Sequence, residues 1–380
     1  MRIAPTLHRQ PPRRYVITAI RLAAGVRMPV RPRRSALALF GLLSFSLSAL
    51  PCAGQEVVPP SVYASPQQLI AVDGARRLNL YCVGSGRPTV LLDAGAGNGM
   101  STWRFVQAEI SKMTRVCAYD RAGLGFSDAA ARPSDLSDMA DDLHRLLKAA
   151  GIETPIVYVG HSLAGEIGVF YAARHPADIA GAVLVEPGFA GAVHAMEAEL
   201  PTAQRTAIED AFGRTLERER ACLALARQGE LAPAATEPAK ACVDVGGDPD
   251  KSDAALKAVK RRLLALPRVW EAEISELESF VPKRERVDID SAELQSVTPT
   301  FDDKPLIVLS RGVEEGGPGV PTAYLPRVEA AWRAGHVRLA ALSSRGRHII
   351  VPGARHYVQI DRPEAVIDAA RRVLADVRSK

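Results

Sequence analysis

Short apolar runs rich in β-branched residues alternate along this chain with stretches of helical period, and this alternation restricts the fold more than any other feature. A strand buried on both faces reads as a continuous apolar run, and parallel neighbours need a crossover between them. The pattern therefore predicts an α/β protein with an eight-stranded, mostly parallel sheet and helices on both faces. The eight runs are 69–72, 78–83, 89–93, 115–119, 156–159, 181–185, 306–309 and 348–351. Asp73-Gly74 between the first two favours a tight turn, so the sheet is expected to open with an antiparallel hairpin. A helix is expected to run from a Ser134 cap to Ala150, with Leu136, Met139, Leu143 and Leu146 on one face and Gly151 ending it. Further helices fit 163–174, 326–343 and 363–377.

The rhythm stops between about Gly188 and Asp303. That span holds no convincing strand and is rich in Ala, Leu, Glu and Arg at helical spacing, as in 202–227 and 253–266, so it reads as an inserted helical cap. The expected organisation is a leader over 1–54, a sheet domain from 55–187 and 304–380, and a cap over 188–303. No internal repeat is present.

The leader is read from its charge. The chain's net charge is +5, yet residues 1–55 hold nine arginines (Arg2, Arg9, Arg13, Arg14, Arg21, Arg27, Arg31, Arg33, Arg34) and no Lys, Asp or Glu, leaving −4 on the rest. A mildly acidic body lacks the basic face that nucleic acid demands, so no nucleic-acid partner is expected. Arg31, Arg33 and Arg34 precede an apolar run over 36–50 and then the small residues Cys52-Ala53-Gly54. This is the layout of a cleaved export signal, and about 15 apolar residues fall short of the roughly 20 that span a bilayer. The expectation is a secreted or periplasmic protein beginning near Gln55, with no stable membrane span after cleavage. Anchoring through 36–50 is the alternative, and twin-arginine export or lipidation of Cys52 are lesser ones. Met28 would begin a signal of ordinary length, so residues 1–27 read as an over-extended start.

Cleavage removes Cys52 and leaves Cys82, Cys117, Cys222 and Cys242. Cys222 and Cys242 lie close in sequence, while Cys82 and Cys117 sit in strand-like runs that could be neighbours, so two disulfides are expected. The alternative is four buried thiols. Neither pair has metal-ligand spacing, and no metal or cofactor is expected.

Ile156-Val-Tyr-Val-Gly160-His161-Ser162-Leu163-Ala164-Gly165 places a serine between a buried strand and the first turn of a helix. A sharp strand-to-helix turn lifts the hydroxyl clear of the sheet, faces it with the new helix's amides, and needs small flanking residues such as Gly160 and Ala164. Asp93-Ala-Gly95-Ala96-Gly97 follows the third strand, Tyr119-Asp-Arg121-Ala-Gly-Leu-Gly125-Phe-Ser-Asp128 the fourth, and Gly353-Ala-Arg-His356-Tyr-Val-Gln-Ile-Asp-Arg-Pro363 the last.

In these motifs and their order the chain, from about Gln67 onward, resembles the α/β-hydrolase superfamily, as a serine hydrolase with a helical cap. It departs in one place, where Ala164 stands for the last glycine of the usual elbow. The resemblance implies Ser162 as nucleophile, His356 as general base, and the N–H groups of Ala96 and Leu163 as oxyanion donors. His161 reads as structural or pocket-lining and His348 as the start of a strand, and either fits an ordinary polar residue. Two positions are open for the acid. Glu315, or its neighbour Glu314, follows the seventh strand at the commoner place, whereas Glu186 ends the sixth strand. A rigid strand end suits a residue that must orient an imidazole, and Gly316-Gly317-Pro318-Gly319 promises a mobile loop, so Glu186 is preferred. The implied activity is hydrolysis of a small ester or related acyl substrate. The same triad also serves aminopeptidases, lactonases and C–C bond hydrolases, and a non-catalytic binding protein on this fold is the reading from another class. The serine argues against dehalogenase and epoxide hydrolase chemistry, which in this fold resembles an aspartate nucleophile. The sequence is silent on oligomeric state.

Overall fold

The computed structural model describes residues 55–231, 239–243, 253–283 and 287–379, so the expected export segment lies outside the described residues. Strands β1 (Gln68–Ala71), β2 (Arg77–Val83), β3 (Val90–Asp93), β4 (Val116–Tyr119), β5 (Ile156–His161), β6 (Ile179–Val185), β7 (Leu306–Arg311) and β8 (Gly346–Val351) form one sheet in the order β1-β2-β4-β3-β5-β6-β7-β8. β2 runs antiparallel to β1 and β4, and every other pair is parallel.

The continuous apolar runs have the physical cause the sequence suggests. Successive side chains of a strand point to opposite faces. In β5, Ile156 and Tyr158 join one buried cluster and Val157 and Val159 the other; in β7, Leu306 and Val308 divide in the same way from Ile307 and Leu309. The first face is covered by helices Leu136–Ala149, Leu163–Arg174 and Leu325–Ala340, the second by Arg104–Ser111 and Pro363–Arg378.

The Asp73-Gly74 hairpin forms as a loop rather than a two-residue turn: Val72 N–H donates to the Arg76 carbonyl at 2.9 Å, and Asp73 accepts the Arg76 N–H at 3.1 Å. The cap of the helix at 136 differs from expectation. Asp135, not Ser134, is the cap, its carboxylate accepting the Asp138 N–H at 2.9 Å, while Ser134 N–H is taken by Ser275 Oγ at 2.7 Å. A carboxylate also suits the positive end of the helix.

Cys82 and Cys117 face each other across β2 and β4 and form a disulfide; a second joins Cys222 to Cys242. Between β6 and β7 the described residues are helical without a strand: Ala192–Glu197, Ala207–Arg227, Ala239–Val243, Ala254–Leu264, Pro267–Phe280 and Ile289–Ser296. This insertion has a core of its own in which Leu216, Cys222, Trp270, Ile274 and Leu277 pack together. Among the described residues no helix is long and apolar enough to cross a membrane.

Candidate active site

Ser162 sits where β5 ends and helix Leu163–Arg174 begins, with φ 54° and ψ −120°. A non-glycine residue there is strained, and the surroundings hold it. Its N–H donates to the Val185 carbonyl at 3.1 Å, and its own carbonyl accepts from Gly165 at 2.8 Å and Gly188 at 3.0 Å. A Cβ on Gly160 would lie 2.4 Å from the Ala164 carbonyl oxygen, and one on Gly165 2.3 Å from Pro187 Cβ, so glycine is required at both. Ala164 itself is fully buried in the core cluster under this helix.

His356 follows β8. Its Nε2 lies 3.1 Å from Ser162 Oγ. Two backbone contacts fix its residue: its N–H donates to Glu315 Oε2 at 2.9 Å, and its carbonyl faces His161 Nε2 at 3.0 Å. A carbonyl only accepts, so His161 carries its proton on Nε2. Burial, reinforced by the His356 ring, pushes the His161 value down to about 3, and it stays neutral. His161 therefore supports the His356 backbone, consistent with a structural part.

Glu186 ends β6 with φ 47° and is fully buried. Its Oε1 lies 4.0 Å from His356 Nδ1, close enough for an ion pair but beyond a normal hydrogen bond. Three donors hold the carboxylate: Arg311 N–H at 2.6 Å, Arg311 Nη1 at 2.5 Å and Trp332 Nε1 at 2.7 Å. Burial alone would raise its pKa; contact with the His356 ring and the Arg311 charge outweigh burial and hold it at about 2. Glu315 reaches the backbone of His356, and Glu314 pairs loosely with Arg333 at 3.9 Å. The expectation of a free glycine-rich loop needs correction at its start. The N–H groups of Glu315 and Gly316 donate to buried Glu329 Oε1 at 3.3 and 2.8 Å, and the same oxygen accepts from Arg311 Nη2 at 2.6 Å.

Ser162, His356, Ala96 and Leu163 open onto one cavity of about 690 Å³. Its wall combines apolar residues such as Phe189, Val193, Met196 and Phe280 with Arg218, Glu219, Lys260 and Glu273 from the insertion. His348 lies elsewhere, 2.7 Å from Ser310 Oγ, which also bonds buried His336. At the far end of helix Leu163–Arg174, His144, His175 and Asp178 bring ligand-type atoms within 4.8 Å of one another. The two imidazoles stack with planes 10° apart and centroids 4.2 Å apart, so a cation in the plane of one ring would lie off the other. The cluster is not arranged as a chelate.

A family profile described as the alpha/beta hydrolase fold matches residues 88–221, which include β3 to β6 and Ser162. Over these residues the chain matches the α/β-hydrolase superfamily. Its α/β-hydrolase sheet also aligns with solved structures at under 25% identity. One is the epoxide hydrolase CorEH, with TM-score 0.57 and 18% identity over 81% of this chain and 98% of that one. Another is the enol-lactonase from Burkholderia xenovorans LB400, with TM-score 0.52 and 20% identity over 80% of this chain and 99% of that one. Among curated proteins, the uncharacterized protein YqjL of Bacillus subtilis (strain 168) is 31% identical over 121 residues, 32% of this chain and 48% of the relative. An AB hydrolase superfamily protein of Gibberella zeae is 36% identical over 115 residues, 30% of this chain and 34% of the relative. The matched segments thus span half or less of these curated relatives.

Arg311 and Trp332, which hold Glu186, and Glu329, which holds Arg311, carry no sequence signal. They meet only because β6, β7 and helix Leu325–Ala340 are neighbours in the fold.

Proposed function

We propose that this protein is an exported serine hydrolase that cleaves a small ester or related acyl substrate through an acyl-enzyme on Ser162. The observation that carries the reading is the 3.1 Å approach of His356 Nε2 to Ser162 Oγ at a strained strand-to-helix turn that opens into the cavity. His356 Nε2 accepts the hydroxyl proton as Oγ attacks the substrate carbonyl. The resulting imidazolium is stabilised by Glu186 across Nδ1, and the N–H groups of Ala96 and Leu163 receive the oxyanion. Leu163 is the first residue of its helix, where amide hydrogens have no intrahelical acceptor. Collapse expels the alcohol, which takes the proton from His356. Water, deprotonated by the same ring, then frees the acid and regenerates Ser162. The cavity is large enough for a drug-sized ligand.

Hydrolysis of a series of p-nitrophenyl esters by the wild-type protein and by Ser162→Ala tests this reading. Turnover by the former and its loss in the latter, with an unchanged circular dichroism spectrum, is the expected result; equal turnover by both contradicts it. Export through removal of residues 1–54 is part of the proposal, supported by the two disulfides. N-terminal sequencing of the protein recovered outside the cytoplasm should begin near Gln55.

A further inference from the structure

Arg121 is buried with 4% of its surface exposed, and its guanidinium spends its donors on the loop that follows β3. Nη1 bonds Asp93 Oδ1 at 2.8 Å and the Ala94 carbonyl, and Nη2 bonds the Gly95 carbonyl at 2.8 Å. The remaining face is taken by Glu276, fully buried and supplied by helix Pro267–Phe280 of the insertion. Nε meets its Oε1 at 2.7 Å and Nη2 its Oε2 at 3.0 Å. Glu276 Oε2 also accepts the N–H of Gly97 at 2.8 Å. Asp93 is satisfied independently, since Tyr119 and Tyr158 hydroxyls both lie 2.8 Å from its Oδ2.

The consequence falls on Ala96. The carbonyl of Gly95 and the N–H of Ala96 belong to one planar trans peptide and point in opposite directions. A cation fixed on that carbonyl sets the direction of the amide hydrogen and polarises it into a stronger donor. Glu276 pins the next peptide through the Gly97 N–H. Gly95 packs closely against the Ser162 turn, where an added Cβ would lie 3.0 Å from Ser162 Cβ. We infer that Arg121 and Glu276 form a clamp by which the helical insertion orients the Ala96 amide as an oxyanion donor. Both are positioning residues, and the inference rests on the serine-hydrolase reading above.

The test has a kinetic arm and an arm independent of turnover. In Glu276→Gln and Arg121→Lys, kcat for a p-nitrophenyl ester should fall about 10–100-fold with KM within about twofold, since removing an oxyanion donor outright costs about 10²–10³. Ser279→Ala, which removes hydroxyl bonds to the Glu276 main-chain carbonyl and to Asp290 but no bond to the loop or to the Glu276 carboxylate, should leave kcat unchanged while reporting any general loosening of the insertion. In Glu276→Ala, hydrogen exchange of the amides at 96–98 should quicken at least about tenfold relative to wild type. Unchanged exchange, unchanged kcat in Glu276→Gln, or an equal kcat loss in Ser279→Ala overturns the clamp. A wild-type protein that turns over no ester defeats the serine-hydrolase reading instead, and the exchange arm still decides whether the clamp exists. Glu276→Gln leaves the Arg121–Asp93 pair in place, so it carries the kinetic arm should Arg121→Lys fail to fold.

Discussion

Glu186 holds its carboxylate 4.0 Å from Nδ1 of His356 while Arg311 and Trp332 grip the same group from behind. Its charge faces the imidazole from a fixed strand end, so its effect should be mainly electrostatic. Glu186→Gln should lower kcat about 10²–10⁴-fold, as loss of a triad acid does elsewhere. Glu315→Gln should cost less than about tenfold, because Glu315 touches the backbone of His356. Steady-state kinetics of the two variants side by side check this, and a larger loss in Glu315→Gln reverses the assignment.

Much of this arrangement is legible in the sequence because it depends on local chemistry. Apolar runs give all eight strands, and Gly160 to Gly165 give the elbow, since strand, turn and helix start are encoded within ten residues. Shifts at the ends have local causes as well, as where Asp135 outcompetes Ser134 for the cap. The Pro267–Phe280 helix escapes the reading: Leu266-Pro267 interrupts the pattern, and the helix carries Glu273, Glu276 and Ser279 on buried or cavity-facing positions. Polar residues break the apolar stripe that marks a helix, and their partners Arg121 and Gly97 lie far away in the chain. Arg311 and Glu329 are invisible for the same reason.

Gly95→Ala tests how closely the loop is packed against Ser162. The added methyl would sit 2.9 Å from His161 Nδ1 and 3.0 Å from Ser162 Cβ, so one of them must move. We expect kcat to fall at least about tenfold with stability lowered by about 1–3 kcal/mol, the usual range for overpacking. Kinetics combined with urea unfolding measures both.

Two carboxyls give the stability opposite dependences on pH. Glu186 titrates at about 2 in the folded protein against an ordinary 4.5, so its contribution is complete above about pH 4.5 and is lost as pH falls through 2. Glu273 is pushed up to about 8 by burial, against the pull of Lys260 and aided by Glu219 and Glu276. Between pH 4.5 and 8 the folded state therefore holds a proton on Glu273 that the unfolded chain has released, and stability declines as pH rises through that interval. Glu273→Gln should flatten this decline. Tm of wild type and variant at pH 5.5 and pH 8 reads it directly: the wild-type difference between the two pH values should shrink in the variant.

The Cys222–Cys242 bridge closes a loop within the insertion, its ends 20 apart in sequence. Loop-closure entropy assigns such a link about 3 kcal/mol. Cys222→Ala combined with Cys242→Ala should lower unfolding stability by about 2–3 kcal/mol, measured by urea titration. An unchanged midpoint and slope would show that the insertion's packed core suffices alone.

The central claim is that Ser162 is the nucleophile, and covalent capture tests it most directly. Incubation with a fluorophosphonate followed by peptide mass mapping should place one phosphonyl adduct on Ser162, with labelling abolished in Ser162→Ala and slowed in Glu186→Gln. Folded wild-type protein that takes up no label, or a Ser162→Ala protein labelled as fast as wild type, contradicts the account.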